Sequence, residues 1–398
     1  MRKYVWLSLF LTWLWLPVLP AAEVPATMIS LEGEERAVQL QDISARGLRC
    51  AQGDVPLSAL AEVVFGPEDP VAPAKTVLVL RNGDQLHADV RSGDDSKLTV
   101  VSEACGEVTF ENKFLDAILF PAAKNAPPAD ALAAFLKAAP PKEDLLWLAK
   151  GDTVSGFLER FADGEVKFNA GGQSRSYRFE QLSAFRLAPL EAYQPGAGLR
   201  AVLTLRDGGR LTGTPLGLGL RDAEAVLKFE ALDGKPWLIR TEQLSRMRMT
   251  GGNLVYLSSL TPSQVQEKPY VGGAPLVYPW RRDRAANGKV LTLGAQTYDR
   301  GLGVHSFSQL SFTLDGAYKK FLCSVGLDGS APPGAVCAWA VKCDGQTKAQ
   351  GEALAGAAPV AVKLDLAGTQ ALELLCDFGN AGDGAGSFLD WANARLIK

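Results

Sequence analysis

The sequence predicts an all-β protein: small SH3-like or Sm-like β-barrels, or curled sheets, repeated over the first two-thirds, then a two-sheet sandwich. Three observations predict it. Forty Gly and 23 Pro in 398 residues punctuate the chain more often than a helical bundle tolerates. Apolar and polar residues alternate over short runs, the period of a half-buried strand. A strand–turn–strand plan recurs four times, each time ending on a strand that begins with Leu.

The chain opens with Arg2 and Lys3, an apolar run from Tyr4 to Leu16, Pro17, and the small residues Ala21 and Ala22. That layout predicts a secretory signal peptide over 1–22, because the apolar run is shorter than the roughly 20 residues that span a bilayer. The expected location is outside the cell or in the periplasm and cell envelope, with no integral membrane segment after cleavage. Against 44 Asp+Glu stand 41 Lys+Arg, a net charge of -3. No broad positive field is available to attract nucleic acid.

The repeats are read from their turns and endings. Hairpins are predicted at Val77–Leu86, Leu146–Val154 and Val202–Leu211, with Asn-Gly, Lys-Gly and Asp-Gly at the turns. The closing strands are Leu60–Phe65, Leu115–Phe120, Leu182–Leu187 and Leu244–Met249. Glu-Gln precedes the last two, at Glu180-Gln181 and Glu242-Gln243. These signals predict β units over 23–67 (degenerate in its opening turn), 74–121, 143–188 and 199–250. An Ala/Pro linker spans 122–142, with a short helix from Asp130 through Lys137. Arg and Asp at the hairpin tips, and His87 just after one, read as solvated turn and strand residues.

Six cysteines follow the predicted signal, at positions 50, 105, 323, 337, 343 and 376. In one strand Cys337 and Cys343 would lie about 20 Å apart, beyond disulfide reach. By alternation the last four are inward-facing core residues, either free or bridged elsewhere.

From Asn253 onward the motifs change. Tyr298-Asp-Arg-Gly-Leu-Gly-Val-His-Ser306 is followed by Leu310–Phe321, Val325-Gly-Leu-Asp-Gly329, Val362–Gly368, Leu372–Gly379 and Asp390–Leu396. This ordered series, over about 254–398, resembles the NPCBM/NEW2 family, carbohydrate-binding modules first noted beside certain glycoside hydrolases. The resemblance implies a galactose-binding-like jelly roll over 253–398 with sugar recognition at loops on one end, and in some members a bound calcium. Gly301, Gly303 and His305 match its central motif, and Asp390 and Trp391 its closing one. Aromatic faces stack on sugar C–H surfaces and planar polar groups take paired hydroxyls. Candidate sugar ligands are therefore Trp280, Tyr298, Arg300, His305, Asp328 and Trp391. Candidate calcium ligands are Asp377, Asn380 and Asp383. Two departures bear on these expectations: Gly329 replaces a second acidic residue, and Ser387-Phe388 replaces an Asp-His pair.

Chemistry is sparse elsewhere. Two histidines, His87 and His305, do not supply a His-based triad or a multi-His zinc site. Asp94-Asp95 and Glu34-Glu35 fall in polar turns and do not form a facing carboxylate pair. Gly217-Leu-Gly219 lacks the rest of a dinucleotide loop. The expected function is therefore non-catalytic binding of a glycan or cell-envelope polysaccharide, with the repeats as scaffold. The alternative is an envelope structural or protein-interaction protein whose sandwich has lost sugar binding.

Overall fold

The computed structural model describes residues 23–67, 76–120, 129–189, 193, 198–270, 278–379 and 386–398. The predicted signal peptide lies outside them, as does part of the Ala/Pro linker. Among the described residues every paired strand is antiparallel, and there is one α-helix, Ala129–Lys137.

Each Leu-led closing strand is preceded by one turn of 3₁₀ helix. The turns are Leu57–Ala59, Asn112–Phe114, Phe179–Gln181 and Thr241–Gln243, running into Leu60–Val64, Leu115–Leu119, Leu182–Arg186 and Leu244–Thr250. The Leu backbone N–H bonds back to the carbonyl of the first residue of the turn, which aims its side chain inward. All four leucines are buried.

The units do not close as separate barrels. Their closing strands pair with one another, so each curled sheet is shared by two copies. Leu60–Val64 pairs with Leu244–Thr250 through Glu62↔Arg248, Val63↔Met247 and Val64↔Arg246. Leu115–Leu119 pairs with Leu182–Arg186 through Ala117↔Arg186, Ile118↔Phe185 and Leu119↔Ala184. In both pairs the fourth residue of one closing strand faces the fourth of the other. Units one and four, and units two and three, are thus each related by a local twofold through that position. A lone unit would leave a closing strand with an unpaired edge, which the pairing satisfies. The two pairs join where Asp84 of unit two accepts hydrogen bonds from the backbone N–H (2.6 Å) and hydroxyl (2.7 Å) of Thr212 in unit four.

Several hairpin-tip residues are therefore buried or partly buried and paired rather than freely solvated. Asp84 is buried for the reason just given. Arg81 pairs with Asp116 at 2.8 Å, and Arg186 reaches the same carboxylate. Arg186 also donates to the carbonyls of Phe135 and Ala138 at the C-terminal end of the helix, where a cation complements the helix dipole. His87 is half-buried, with Nδ1 3.9 Å from an Asp207 carboxylate oxygen.

The C-terminal region is a two-sheet sandwich. One sheet runs Arg281–Arg282, Gly301–His305, Phe388–Ile397, Lys320–Leu327, Val360–Asp365, with Leu254–Tyr256 also paired to Phe388–Ile397. The other runs Gln264–Glu267, Ser308–Thr313, Ala371–Asp377, Val336–Cys343, Gln346–Leu354. Inward-facing Trp391, Trp339, Phe321 and Phe312 fill the space between, with all four C-terminal cysteines among them. All six cysteines are free and buried. Burial pushes the Cys105 thiol up to about 11 and raises Cys50, Cys323, Cys343 and Cys376, so they are packing groups rather than nucleophiles.

Unit one packs on the back of this sandwich. Ala61 joins Leu254, Leu322 and Ile397 in a small apolar cluster, with Leu31 against it. Glu32 is held by both Lys320 and Lys363, and Arg395 Nε donates to the Leu31 carbonyl at 3.1 Å.

Candidate functional site: an aromatic end of the sandwich

The motif strand Gly301–His305 lies beside the last strand, Phe388–Ile397, in a register that sets His305 opposite Phe388. Gly303 has no room for a side chain: a Cβ there would lie 2.4 Å from both the Arg284 carbonyl oxygen and the Ala285 Cα. The glycine lets the segment through Ala285 lie flat against the strand, and that segment begins with the exposed Tyr278. The Tyr278 ring rests on His305 (5.4 Å between centroids) and edge-on against Phe388 (4.8 Å). His305 and Phe388 are themselves 5.1 Å apart.

From His305 the chain passes through Ser306 and Phe307 into the second sheet, where Ser308 pairs with Glu267 and Cys376. Beyond those strand ends lie Tyr270 and Phe378, edge-to-face at 5.2 Å. Both sheets therefore contribute aromatic rings to the same end of the sandwich. Tyr270 is 57% and Tyr278 37% exposed. Lys268 sits over the Phe307 ring.

Electrostatically this end is quiet. His305 Nδ1 lies 2.9 Å from the Ser306 carbonyl oxygen, and burial holds its pKa below the ordinary histidine value. The imidazole is then neutral at physiological pH, with Nδ1–H donating and Nε2 left as an acceptor. Glu267 Oε1 accepts from the Trp280 backbone N–H at 2.7 Å, and its own pKa is raised by burial.

The six sugar-ligand candidates do not form one constellation. Only His305 lies in the aromatic cluster just described. Trp280 is half-buried against the sandwich core, with the Arg282 guanidinium over its ring at 5.4 Å. Trp391 is a correction: it is fully buried, edge-on to Trp339 at 6.1 Å, and presents no face to a sugar. Alternation along its strand puts it on the inner face, away from its neighbour Asp390. Asp328 is a second correction. It is buried beside Asp390, and its carboxylate is occupied by the Thr292 and Ser330 backbone N–H groups at 3.1 and 2.9 Å and by the Ser330 hydroxyl. Asp390 Oδ2 accepts from the same Thr292 N–H at 3.2 Å. Two carboxyl groups in one dry site cannot both ionise readily, so Asp390 is pushed up to about 9 by burial and by Asp328.

Tyr298 and Arg300 lie elsewhere again. They line a cleft of about 600 Å³ between the sandwich and the β units, with Glu62, Arg246 and Arg248 on its far wall. Arg300 Nη1 pairs with Asp283 at 2.9 Å and its guanidinium stands over Tyr256 at 5.9 Å.

Of the calcium candidates, Asn380 and Asp383 fall outside the described residues. Asp377 uses one oxygen to cap the Phe378 N–H at 2.8 Å. No group of three or more His, Cys, Asp or Glu residues converges on a metal-sized site among the described residues. The aromatic end was only partly legible in sequence. Tyr270, Tyr278, Phe378 and Phe388 come from four separate segments, and the one local signal was that each borders a strand end beside a Gly-rich or Pro-containing stretch.

Residues 253–397 match the NPCBM/NEW2 domain, and that stretch is the sandwich with its aromatic end. No curated protein matches the chain. Among solved structures it is similar to CBM51 from Clostridium perfringens GH95 in complex with methyl-galactose, with 25% identity over 36% of this chain and 99% of that one, TM-score 0.32. It is also similar to CBM51-2 with GlcNAc and INT domains from Clostridium perfringens ZmpB. There the identity is 19% over 48% of this chain, TM-score 0.33, and the chain spans less than half (44%) of that structure. A third is the tandem CBM51 modules of Sp3GH98, the family 98 glycoside hydrolase from Streptococcus pneumoniae SP3-BS71. The identity is 12% over 93% of this chain and 87% of that one, TM-score 0.32. No helix among the described residues is long and apolar enough to cross a membrane.

Proposed function

We propose that this is an exported, non-catalytic glycan-binding protein in which the aromatic end of the sandwich receives the sugar and the β units act as scaffold. The observation that carries the reading is the cluster of Tyr278, His305 and Phe388, continued by Tyr270 and Phe378, on an NPCBM/NEW2 domain. Tyr270 and Tyr278 expose their rings beside the partly buried His305, Phe378 and Phe388, and a sugar offers C–H faces to cover them without demanding a charged partner. The neutral His305, with Nε2 as acceptor, suits a hydroxyl donor. Export is supported by the N-terminal sequence pattern alone.

The alternative, a protein-interaction module of the cell envelope, draws on the burial of Trp391, Asp328 and Asp390. In this chain those motif residues are buried, which supports a structural role for them. A glycan array probed with the full chain separates the two. Binding to a subset of glycans, lost in Tyr278→Ala, is expected; a blank array with a folded protein favours the alternative.

A further inference from the structure

We propose that the cleft between the paired units one and four and the back of the sandwich is a second ligand site, taking the acidic group of a charged saccharide. The chemistry it recognises is a carboxylate or a sulfate ester. That the ligand is a saccharide rests on the glycan-binding reading above; that it is acidic rests on the cleft alone.

Cations face the cleft from both sides, Arg246 and Arg248 from unit four and Arg300, Arg395 and Lys363 from the sandwich. Most of its carboxylates are already engaged. Glu32 is held by Lys320 and Lys363, Glu62 by Arg246 and Arg248, and Asp299 by Arg248 at 3.0 Å. Glu35 is solvent-exposed.

Arg395 is different. It is only 7% exposed, yet it pairs with no carboxylate among the described residues. Its Nε and Nη1 donate to the carbonyls of Leu31 and Asn393 at 3.1 and 3.4 Å, which leaves Nη2 without an acceptor among them. The Nε groups of Arg246, Arg248 and Arg300 are buried without acceptors. Unmet buried donors are rare and costly, and here three guanidinium groups with such donors line one cavity.

An acidic oxygen supplies both what the donors need and the charge that Arg395 lacks. Guanidinium forks match the oxygens of carboxylate and sulfate. Tyr256 lies under the guanidinium groups of Arg248 and Arg300 at 6.0 and 5.9 Å and holds them at the cleft, which Tyr298 also lines. The cleft exists only where the repeats meet the sandwich, so it belongs to the whole chain and not to the sandwich alone.

Calorimetric titration of the full chain with trigalacturonate, a sulfated galactose trisaccharide and uncharged galactotriose tests the proposal and separates the two acidic sources. At least one acidic saccharide should bind about tenfold or more tightly than the neutral one. That preference should vanish in Arg300→Gln and in Arg395→Gln. Should Arg395→Gln fail to fold, Arg300→Gln and competition by sodium sulfate on the unaltered chain carry the test. Equal binding of acidic and neutral saccharides, or a preference untouched by Arg300→Gln, overturns the proposal. If no saccharide binds but sulfate does, and Arg300→Gln abolishes it, the acidic site stands and the glycan reading fails. If neither saccharide nor sulfate binds, both fall.

Discussion

Asp390 and Trp391 sit side by side in the closing motif and do opposite work. Trp391 fills the core, while Asp390, with Asp328, holds the Thr292 N–H and so ties the Leu291–Tyr298 hairpin to the sandwich. With its pKa raised from near 3.8 to about 9, Asp390 stays protonated in the fold over a range where the unfolded chain ionises it. The native state then binds the extra proton, so this group's contribution to stability is full below about 4 and is lost as pH rises toward 9. Asp390→Asn should flatten that dependence, making the variant relatively more stable than the parent at pH 8 than at pH 5 in urea melts. An unchanged difference between the two pH values would refute the assignment. The motif showed in sequence that these residues matter, but not that they face inward. Ligand and core roles draw on the same aromatic and acidic residue types, and only the partner strand decides between them.

At the scale of elements, the closing strands were legible because each opens on a leucine and Glu-Gln precedes two of them. Their pairing was not, because nothing local says which copy an open strand edge will meet. Phe185 faces Ile118 at the local twofold and lies edge-on to Phe161 and Phe168, at 5.5 and 6.3 Å. Phe185→Ala is therefore expected to cost about 3–5 kcal/mol in denaturant unfolding. A second device emerges only in three dimensions. Gly156 in unit three and Gly213 in unit four lie beneath Phe168 and Phe229, where a Cβ would come within 2.0 Å of the Asn169 or Glu230 carbonyl oxygen. Gly213→Val should destabilise by about 1–3 kcal/mol through forced backbone movement, and a stability within 0.5 kcal/mol of the parent (roughly the scatter of a surface substitution) would contradict the packing.

On the scale of the molecule, the repeats and the sandwich are one body with a charged seam. Lys320 and Lys363 draw Glu32 down to about 2 from an ordinary value near 4.5. Its contribution is present above that ordinary value and is lost as pH falls toward 2. The carboxylate is partly exposed, so salt screens it. Glu32→Gln is expected to raise hydrogen exchange at Leu31–Gly33 while leaving the sandwich core protected; loss of protection throughout the sandwich would mean the seam holds the whole fold. Domain-scale architecture was the most readable level of the sequence, since alternation, turns and motif order all pointed to β units followed by a sandwich. The seam and the cleft were invisible there because their residues lie up to several hundred positions apart.

The central claim is that the aromatic end of the sandwich binds a glycan. Its most direct test is calorimetric titration of the best array glycan into the parent chain and into Tyr278→Ala, with circular dichroism confirming that both are folded. The account predicts a saturable, weak binding isotherm for the parent and a loss of about tenfold or more in the variant. Equal affinity in the two proteins would contradict it.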